Sequence, residues 1–219
     1  MKTVVAVYTG RGLSEPLSRM FSEVLSDARL INIIDEALIQ DINQAGKVSA
    51  AIARRLLRYF ENAEAMGADA ILNTCSSVGE VAVSARRFIQ IPIVRIDEAM
   101  AAKAVETFDR IGVIATLPST LNPTRRLLED QARMRARSVH VVEGLAKGAY
   151  EALVAGDGAR HDALIQAAAM DLAAAVDGMV LAQGSMARME SALKEATGKP
   201  VFSSIRFGLS DLARHLEEA

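Results

Sequence analysis

The stretch DAILNTCSSVG, residues 69–79, decides how this chain is read: an apolar run leads into its only cysteine, and a turn of small, hydroxyl-bearing residues follows. Residues 70–73 have the character of a fully buried parallel strand, and from Val78 through Val81, Ala82 and Ala85 the apolar spacing becomes helical. Cys75 therefore stands at the carboxyl end of a strand and just before a helix. In open α/β sheets ligands bind at that edge, and a helix amino terminus offers free N–H groups and a partial positive charge, which favours a thiolate over a thiol. A lone cysteine is more often a buried small hydrophobe than a nucleophile. Its strand-end place and its polar turn argue for a reactive sulfur here.

A second stretch, DGMVLAQGSMA at residues 177–187, repeats the order of acidic residue, short apolar strand and small polar turn. A shift of 108 positions carries Cys75 onto Gln183 and Pro92 onto Pro200, and sets 2–7 on 110–115 and 30–35 on 138–143. A chain of 219 residues is close to twice that spacing, which implies an internal duplication of a unit too long for a solenoid repeat.

Between these landmarks strand and helix alternate. The first half has strands at 4–8, 31–34, 70–73 and 91–96, the last with Pro92 near its start, where a missing N–H costs least. The second half has strands at 111–115, 139–142 and 179–182, and one after the turn Gly198-Lys199-Pro200. Ser14 can cap a helix that carries Pro16 in its first turn, and residues 47–66 form a long helix ended by Gly67. Asp97 and Glu98 open a helix into the second half, and Asn122-Pro123 starts another. Gly156 and Gly158 break a helical region that resumes over 159–176, and 207–216 closes the chain. This rhythm means α/β architecture with right-handed crossovers, and four strands in each half mean two parallel sheets.

Composition removes several function classes. Lys plus Arg number 25 against 27 Asp plus Glu, a net charge of −2, so no electrostatic case exists for nucleic acid or an anionic membrane. With 4% aromatic residues and no Trp, a base-stacking platform is also excluded. The apolar run of MKTVVAVYTG is about five residues long against the roughly 7–15 of a signal-peptide core, so it reads as a strand. One cysteine excludes an intramolecular disulfide and fits a reducing compartment, so a cytoplasmic location is expected. No Cys/His cluster has metal-ligand spacing, and Gly10-Arg11-Gly12 lacks the third glycine of a dinucleotide fingerprint, so neither metal nor cofactor is expected. His140 falls in a strand pattern and reads as buried with a satisfied hydrogen bond, whereas His161 and His215 fall on polar helical stretches. Tyr8 reads as a core residue.

Two similar α/β halves, a small polar loop after the first strand of each, and the turn Asn73-Thr74-Cys75-Ser76-Ser77 together resemble the aspartate/glutamate racemase superfamily. That group includes hydantoin racemases, maleate isomerases and arylmalonate decarboxylases, and the resemblance spans essentially the whole chain. It implies two Rossmann-like (flavodoxin-like) half-domains with four-stranded parallel sheets, related by internal duplication and pseudo-twofold symmetry. Residues 1–97 with a closing helix at 206–219 would form one half and 98–205 the other, with the site between them.

The family's racemases set two cysteines on opposite faces of the substrate's α-carbon, one from each half. This sequence keeps Cys75 and departs at the second position, where Gln183 stands. A carboxamide donates and accepts hydrogen bonds but is neither acid nor base near neutral pH. Arylmalonate decarboxylases also carry one thiol, but in the second half, so this chain mirrors them. The resemblance thus implies a cofactor-independent isomerase (a racemase, epimerase or cis–trans isomerase) acting on a small carboxylic acid, with Cys75 as acid/base or nucleophile and Gln183 opposite it across one cleft. The alternatives are a lyase acting on a malonate-like acid and a non-catalytic small-carboxylate binder. Donors aimed at an enediolate would come from Thr9, Gly10, Asn73, Thr74, Ser76, Ser77, Thr116, Ser119, Thr120, Gly184 and Ser185. Tyr8 stands where the glutamate racemases have an acid, which removes a carboxylate that would serve an amino group. That points to an acid lacking the amine, with Arg11 as a carboxylate partner. The expected partner is a small-molecule carboxylate, with no nucleic acid and no membrane; a homo-oligomer, dimer or larger, is left open.

Overall fold

In the computed structural model, which describes residues 1–218, the run KTVVAVY becomes strand β1 (Lys2–Tyr8), and every residue from Val4 to Tyr8 is buried. A strand apolar on both faces is stable only inside a parallel sheet covered by helices on both sides. β1 pairs in parallel with β2 (Ala28–Ile34) and β3 (Ala70–Asn73), and β4 (Ile93–Arg95) pairs with β3, giving the order β2-β1-β3-β4. The inner strand β3 is wholly buried, while β2 alternates as an edge strand does. Around this sheet come α1 (Ser14–Val24), α2 (Glu36–Ala45), α3 (Ala50–Ala65) and α4 (Gly79–Ala85). Asp35 caps α2 by accepting the Ala37 N–H, and Ser49 caps α3 by accepting the Ile52 N–H. Leu38 and Ile42 of α2 and Ile52, Leu56 and Phe60 of α3 pack with Val5, Val7 and Ile71 into one core.

The second sheet repeats the design: β5 (Arg110–Ala115), β6 (His140–Leu145), β7 (Gly178–Leu181) and β8 (Val201–Ser203) are all parallel, in the order β6-β5-β7-β8. Its helices are α5 (Glu98–Thr107), α6 (Pro118–Met134), α7 (Ala149–Val154), α8 (Gly158–Ala173) and α9 (Glu190–Thr197), and α10 (Ser204–Glu218) ends the described chain. Two compact units result, Met1–Ala99 with the chain from Ile205 onward, and Met100–Ser204. Gly208 lets α10 lie directly on the first unit, since a Cβ there would sit 2.6 Å from the Ile96 carbonyl oxygen. Of the expected closing segment 206–219, Ala219 lies outside the described residues. Among the described residues no helix is long and apolar enough to cross a membrane.

The duplication is visible in single hydrogen bonds. Asp69 accepts the Thr3 N–H at 2.6 Å and Asp177 accepts the Arg110 N–H at 2.8 Å, each pinning the start of the central strand. The Ile71 N–H donates to Pro92 O at 2.8 Å and the Met179 N–H to Pro200 O at 2.9 Å. Register corrects the uniform shift. Val4 lies opposite Ala70 and Ile111 opposite Gly178, so the first strands are offset by 107 positions while β3 and β7 are offset by 108. Leu30 and Val141 occupy equivalent places, an offset of 111. The cause is α6, with 17 residues against the 11 of α1.

Three helix starts also differ from expectation. α1 begins at Ser14, whose hydroxyl donates back to Arg11 O instead of capping. The long helix of 47–66 is α3, three residues shorter at its start because Ser49 caps it. α6 starts at Pro118, and Pro123 falls inside it. Both prolines have the φ that suits a first turn, and starting at Pro118 buries Thr120 and Leu121 as well.

Candidate active site

In each sheet the order reverses beside the first strand, so the topological switch point lies at the carboxyl ends of β1 and β3 in one unit and of β5 and β7 in the other. Ligands of open α/β sheets bind at such points. In the first unit the chain leaves β1 through Thr9 and Gly10 and leaves β3 through Thr74 and Cys75. Thr9 is buried, and its hydroxyl lies close enough to the Cys75 thiol to favour its ionised form. Gly10 is extended at the start of a short 3-10 turn, and a Cβ there would meet only Ile39 at 3.9 Å, so the backbone does not require a glycine.

Asn73 closes β3 with its Nδ2 donating to Cys75 O at 3.0 Å, while its Oδ1 is buried without a partner among the described residues. The Thr74 N–H and hydroxyl both go to Val7 O, at 3.2 and 3.0 Å, which ties the turn to β1. Ser76 and Ser77 are buried in the 3-10 turn Ser76–Val78, and Ser77 Oγ has no hydrogen-bond partner among the described residues, although it lies close enough to the thiol to favour its ionised form.

Cys75 is a free thiol and partly exposed as a residue, but its sulfur is packed among protein atoms. Burial pushes the thiol above its ordinary range, against the opposing influence of the nearby Thr9 hydroxyl, the Ser77 N–H and hydroxyl and the Val78 N–H. The thiolate expected from a helix amino terminus is overturned: desolvation outweighs those donors, and the resting group is a thiol.

Beneath this turn lies an ion pair. Arg95 ends β4 opposite Asn73 and, with only 4% of its side chain exposed, makes a bidentate pair with Asp97 through Nε (3.1 Å) and Nη2 (3.0 Å). Gly79 opens α4 against it, and a Cβ there would sit 2.6 Å from Arg95 Nε. The sequence signal was a charged pair two residues apart at the end of an apolar strand. Tyr8 is indeed core, its hydroxyl donating to Asn32 Oδ1 at 3.0 Å. Arg11 is exposed and paired with Glu36 at 2.9 Å.

At the equivalent edge of the second unit, the offset of 107 places Thr116 where Thr9 stands, and Gln183 takes the place of Cys75. The pairing is conserved within the chain: Thr116 N–H and Oγ1 lie 2.7 and 3.0 Å from Gln183 Oε1, and Gln183 Nε2 lies 2.8 Å from Thr116 Oγ1. Ser119 and buried Thr120 form the first turn of α6, and Gly184 and Ser185, both half-buried, open the 3-10 segment Gly184–Met189.

That segment is anchored by Arg188, which pairs with Asp162 on α8, whose Oδ1 also meets His161 Nδ1 at 2.7 Å. Arg188 and His161 hold the Asp162 carboxyl below its ordinary value although desolvation alone would raise it. His161 is buried and its Nε2 has no partner among the described residues, whereas His140 is exposed at the start of β6; the two expected placements are reversed. His161 takes a core position of α8 one turn before Ile165, which its polar neighbours concealed.

Comparisons with known proteins agree with this architecture. A family model described as Asp/Glu/hydantoin racemase matches residues 4–212. Among solved structures, allantoin racemase from Klebsiella pneumoniae superposes with a TM-score of 0.72 at 18% identity, over 100% of this chain and 89% of the other. Glutamate racemase from Francisella tularensis, in complex with D-glutamate, gives 0.79 at 15% identity, over 99% and 81%. Unliganded arylmalonate decarboxylase gives 0.59 at 15% identity, over 99% and 93%. No curated protein matches the chain in a sequence comparison.

Proposed function

The chain belongs to the Asp/Glu/hydantoin racemase family, and from that premise we propose that it is a cofactor-independent isomerase acting at the carbon beside a carboxylate, with Cys75 as its one proton-transfer group. The observation that carries this reading is the place of Cys75: at the switch point of the first sheet, with the hydroxyl and N–H donors of Thr9, Ser77 and Val78 close to its sulfur. When Cys75 ionises, those donors hold the thiolate. The thiolate takes the α-proton, the C–H electron pair becomes an enediolate, and the new S–H returns a proton on the same face: at the α-carbon this is exchange with retention, and with a β,γ-unsaturated acid, whose dienolate accepts the proton at the γ-carbon, it is net isomerisation. A thiolate made scarce by burial is correspondingly more basic, which suits a weakly acidic C–H. Ser76, Ser77, Gly10 and Asn73 on one edge, and Thr116, Ser119, Thr120, Gly184 and Ser185 on the other, are the proposed donors to the substrate oxygens, with Thr74 holding the Cys75 turn.

The protonated resting thiol supports a second reading, a lyase on a malonate-like acid. There the C–C bond breaks, CO2 leaves, the electron pair forms the enediolate, and Cys75 S–H delivers the proton; water then restores the thiol. One experiment tests both readings. The wild-type chain and Cys75→Ala are incubated with a panel of small mono- and dicarboxylic acids in D2O, and proton NMR follows α-hydrogen exchange and CO2 loss. Exchange marks the isomerase, loss of CO2 with one deuteron incorporated marks the lyase, and either must vanish in Cys75→Ala. A panel left untouched by the wild-type chain but bound by it makes the protein a carboxylate binder and sinks both.

A further inference from the structure

Gln183 leaves β7 with its carboxamide held by a single residue, Thr116. A backbone N–H only donates, so the atom 2.7 Å from the Thr116 N–H must be the carbonyl oxygen of the amide. Oε1 is therefore turned toward β5 and occupied. Of the two Nε2 protons, one is directed at Thr116 Oγ1, 2.8 Å away, and the other has no partner among the described residues, on a residue that is only half-buried. The side chain thus shows its surroundings one thing, an N–H.

We propose that Thr116 is a positioning residue that locks Gln183 as a one-way hydrogen-bond donor, and that the group it receives is an oxyanion, a carboxylate oxygen in the bound acid and an enediolate oxygen once the α-proton has gone. The inference rests on the proposed function for the class of ligand, and goes beyond it in giving Gln183 a direction and Thr116 a task. A thiol at this position would exchange a proton with carbon. A locked amide instead stabilises developing negative charge without accepting or releasing a proton, because a preorganised donor costs no reorganisation when the charge appears. In the first unit the equivalent Thr9 hydroxyl lies close to Cys75, so one threonine after each central strand stands beside the side chain that leaves the neighbouring strand.

The test is NMR of the 15N-labelled side-chain amide of Gln183 in the full chain, assigned by its loss in Gln183→Glu, with malonate as the probe. In the parent the amide should have an order parameter near that of rigid backbone, about 0.85, and its N–H resonances should shift as malonate is added. Thr116→Val keeps the backbone N–H and removes the hydroxyl. The order parameter should fall toward flexible values, and malonate should bind about five- to tenfold more weakly, the ratio set by one lost hydrogen bond. Thr116→Ser should restore both. Gln183→Glu, which offers a carboxylate where an N–H stood, should bind malonate more than tenfold more weakly. A mobile amide in the parent, an amide unchanged by Thr116→Val, or malonate that leaves the Gln183 N–H unshifted overturns the proposal. These readouts need no turnover. If no acid reacts yet the amide behaves as described, the isomerase reading fails and the positioning role stands; if Cys75-dependent exchange is found beside a mobile Gln183 amide, the reverse holds.

Discussion

Replacing Gly79 by alanine isolates the buried ion pair under the Cys75 turn. Gly79 has φ −58° and ψ −34°, ordinary right-handed helical values, so the backbone accepts alanine and helix propensity alone would reward it by about 1 kcal/mol. The space does not accept it. The new Cβ would lie 2.6 Å from Arg95 Nε, and Arg95 cannot swing away freely because Asp97 grips it from two sides with 4% and 2% of the two side chains exposed. Forcing a methyl into packed surroundings costs about 1–3 kcal/mol, and separating a buried charge pair about 3–5 kcal/mol. With partial relaxation and the propensity gain, the net loss should be about 2–4 kcal/mol. At a urea slope of about 2 kcal/mol/M this lowers the midpoint followed by far-UV circular dichroism by about 1–2 M. In a background carrying Arg95→Met and Asp97→Leu, the same substitution should become neutral or stabilising by up to about 1 kcal/mol. A midpoint in Gly79→Ala equal to or above that of the parent would refute the reasoning, because it would mean that Arg95 is not fixed against α4.

Cys75→Ala should abolish turnover while costing on the order of 1 kcal/mol of stability, since one sulfur is removed at a sheet edge; loss of folding in circular dichroism would make Cys75 a core residue instead. Because burial raises the Cys75 thiol above its ordinary range, the isomerase rate and iodoacetamide alkylation should both climb with pH without levelling off below about 8.5, and Thr9→Val, which removes a nearby hydroxyl that favours the ionised form, should move both profiles further up; a plateau near neutral pH contradicts this. The Thr3 N–H on Asp69 and the Arg110 side chain on Asp177 hold those carboxyls below their ordinary values, so the unfolded chain binds protons first on acidification. Their contribution is full above about pH 4 and is lost as pH falls through the lowered values; Asp69→Asn and Asp177→Asn should flatten the acid limb of a urea-midpoint against pH curve, and an unchanged limb would count against it.

Much of the fold was legible because its signals are local. A four-residue apolar run before Cys75 and its counterpart before Gln183, each opened by an aspartate that caps the start of the central strand, specified both inner strands and the duplication. The register was not legible. Four residues more on the way from β5 to β6, and three fewer on to β7, are taken up by helices whose lengths differ, and a uniform shift averages over them. Two helices, α2 and α9, went unread: the Asp35 cap of α2 is a local signal that the strand-end reading passed over, and α9 buries only Leu193, which leaves no apolar periodicity to see.

At the site, sequence placed Cys75 and Gln183 at equivalent strand ends, and the structure adds what holds each. The ionisation state of Cys75 was misjudged because a helix amino terminus can be read from a pattern, whereas the density of atoms around a sulfur cannot. The Arg95–Asp97 pair, the demand it places on Gly79 and the burial of His161 share that cause: each depends on groups far apart in the chain meeting in space.

The central claim is that one proton-transfer group works here where a racemase has two. The direct measurement is hydrogen exchange at the α-carbon of enantiopure small carboxylates in D2O, with proton NMR reporting deuterium uptake and chiral chromatography reporting configuration, for the parent and for Gln183→Cys. A carbanion that Cys75 alone can reprotonate regains its proton on one face, so the parent should incorporate deuterium with retained configuration, while Gln183→Cys, whose thiol is a few per cent ionised at neutral pH, should racemise the same acid. Free racemisation by the parent would contradict the account, since a second acid or base besides Cys75 would then have to be at work.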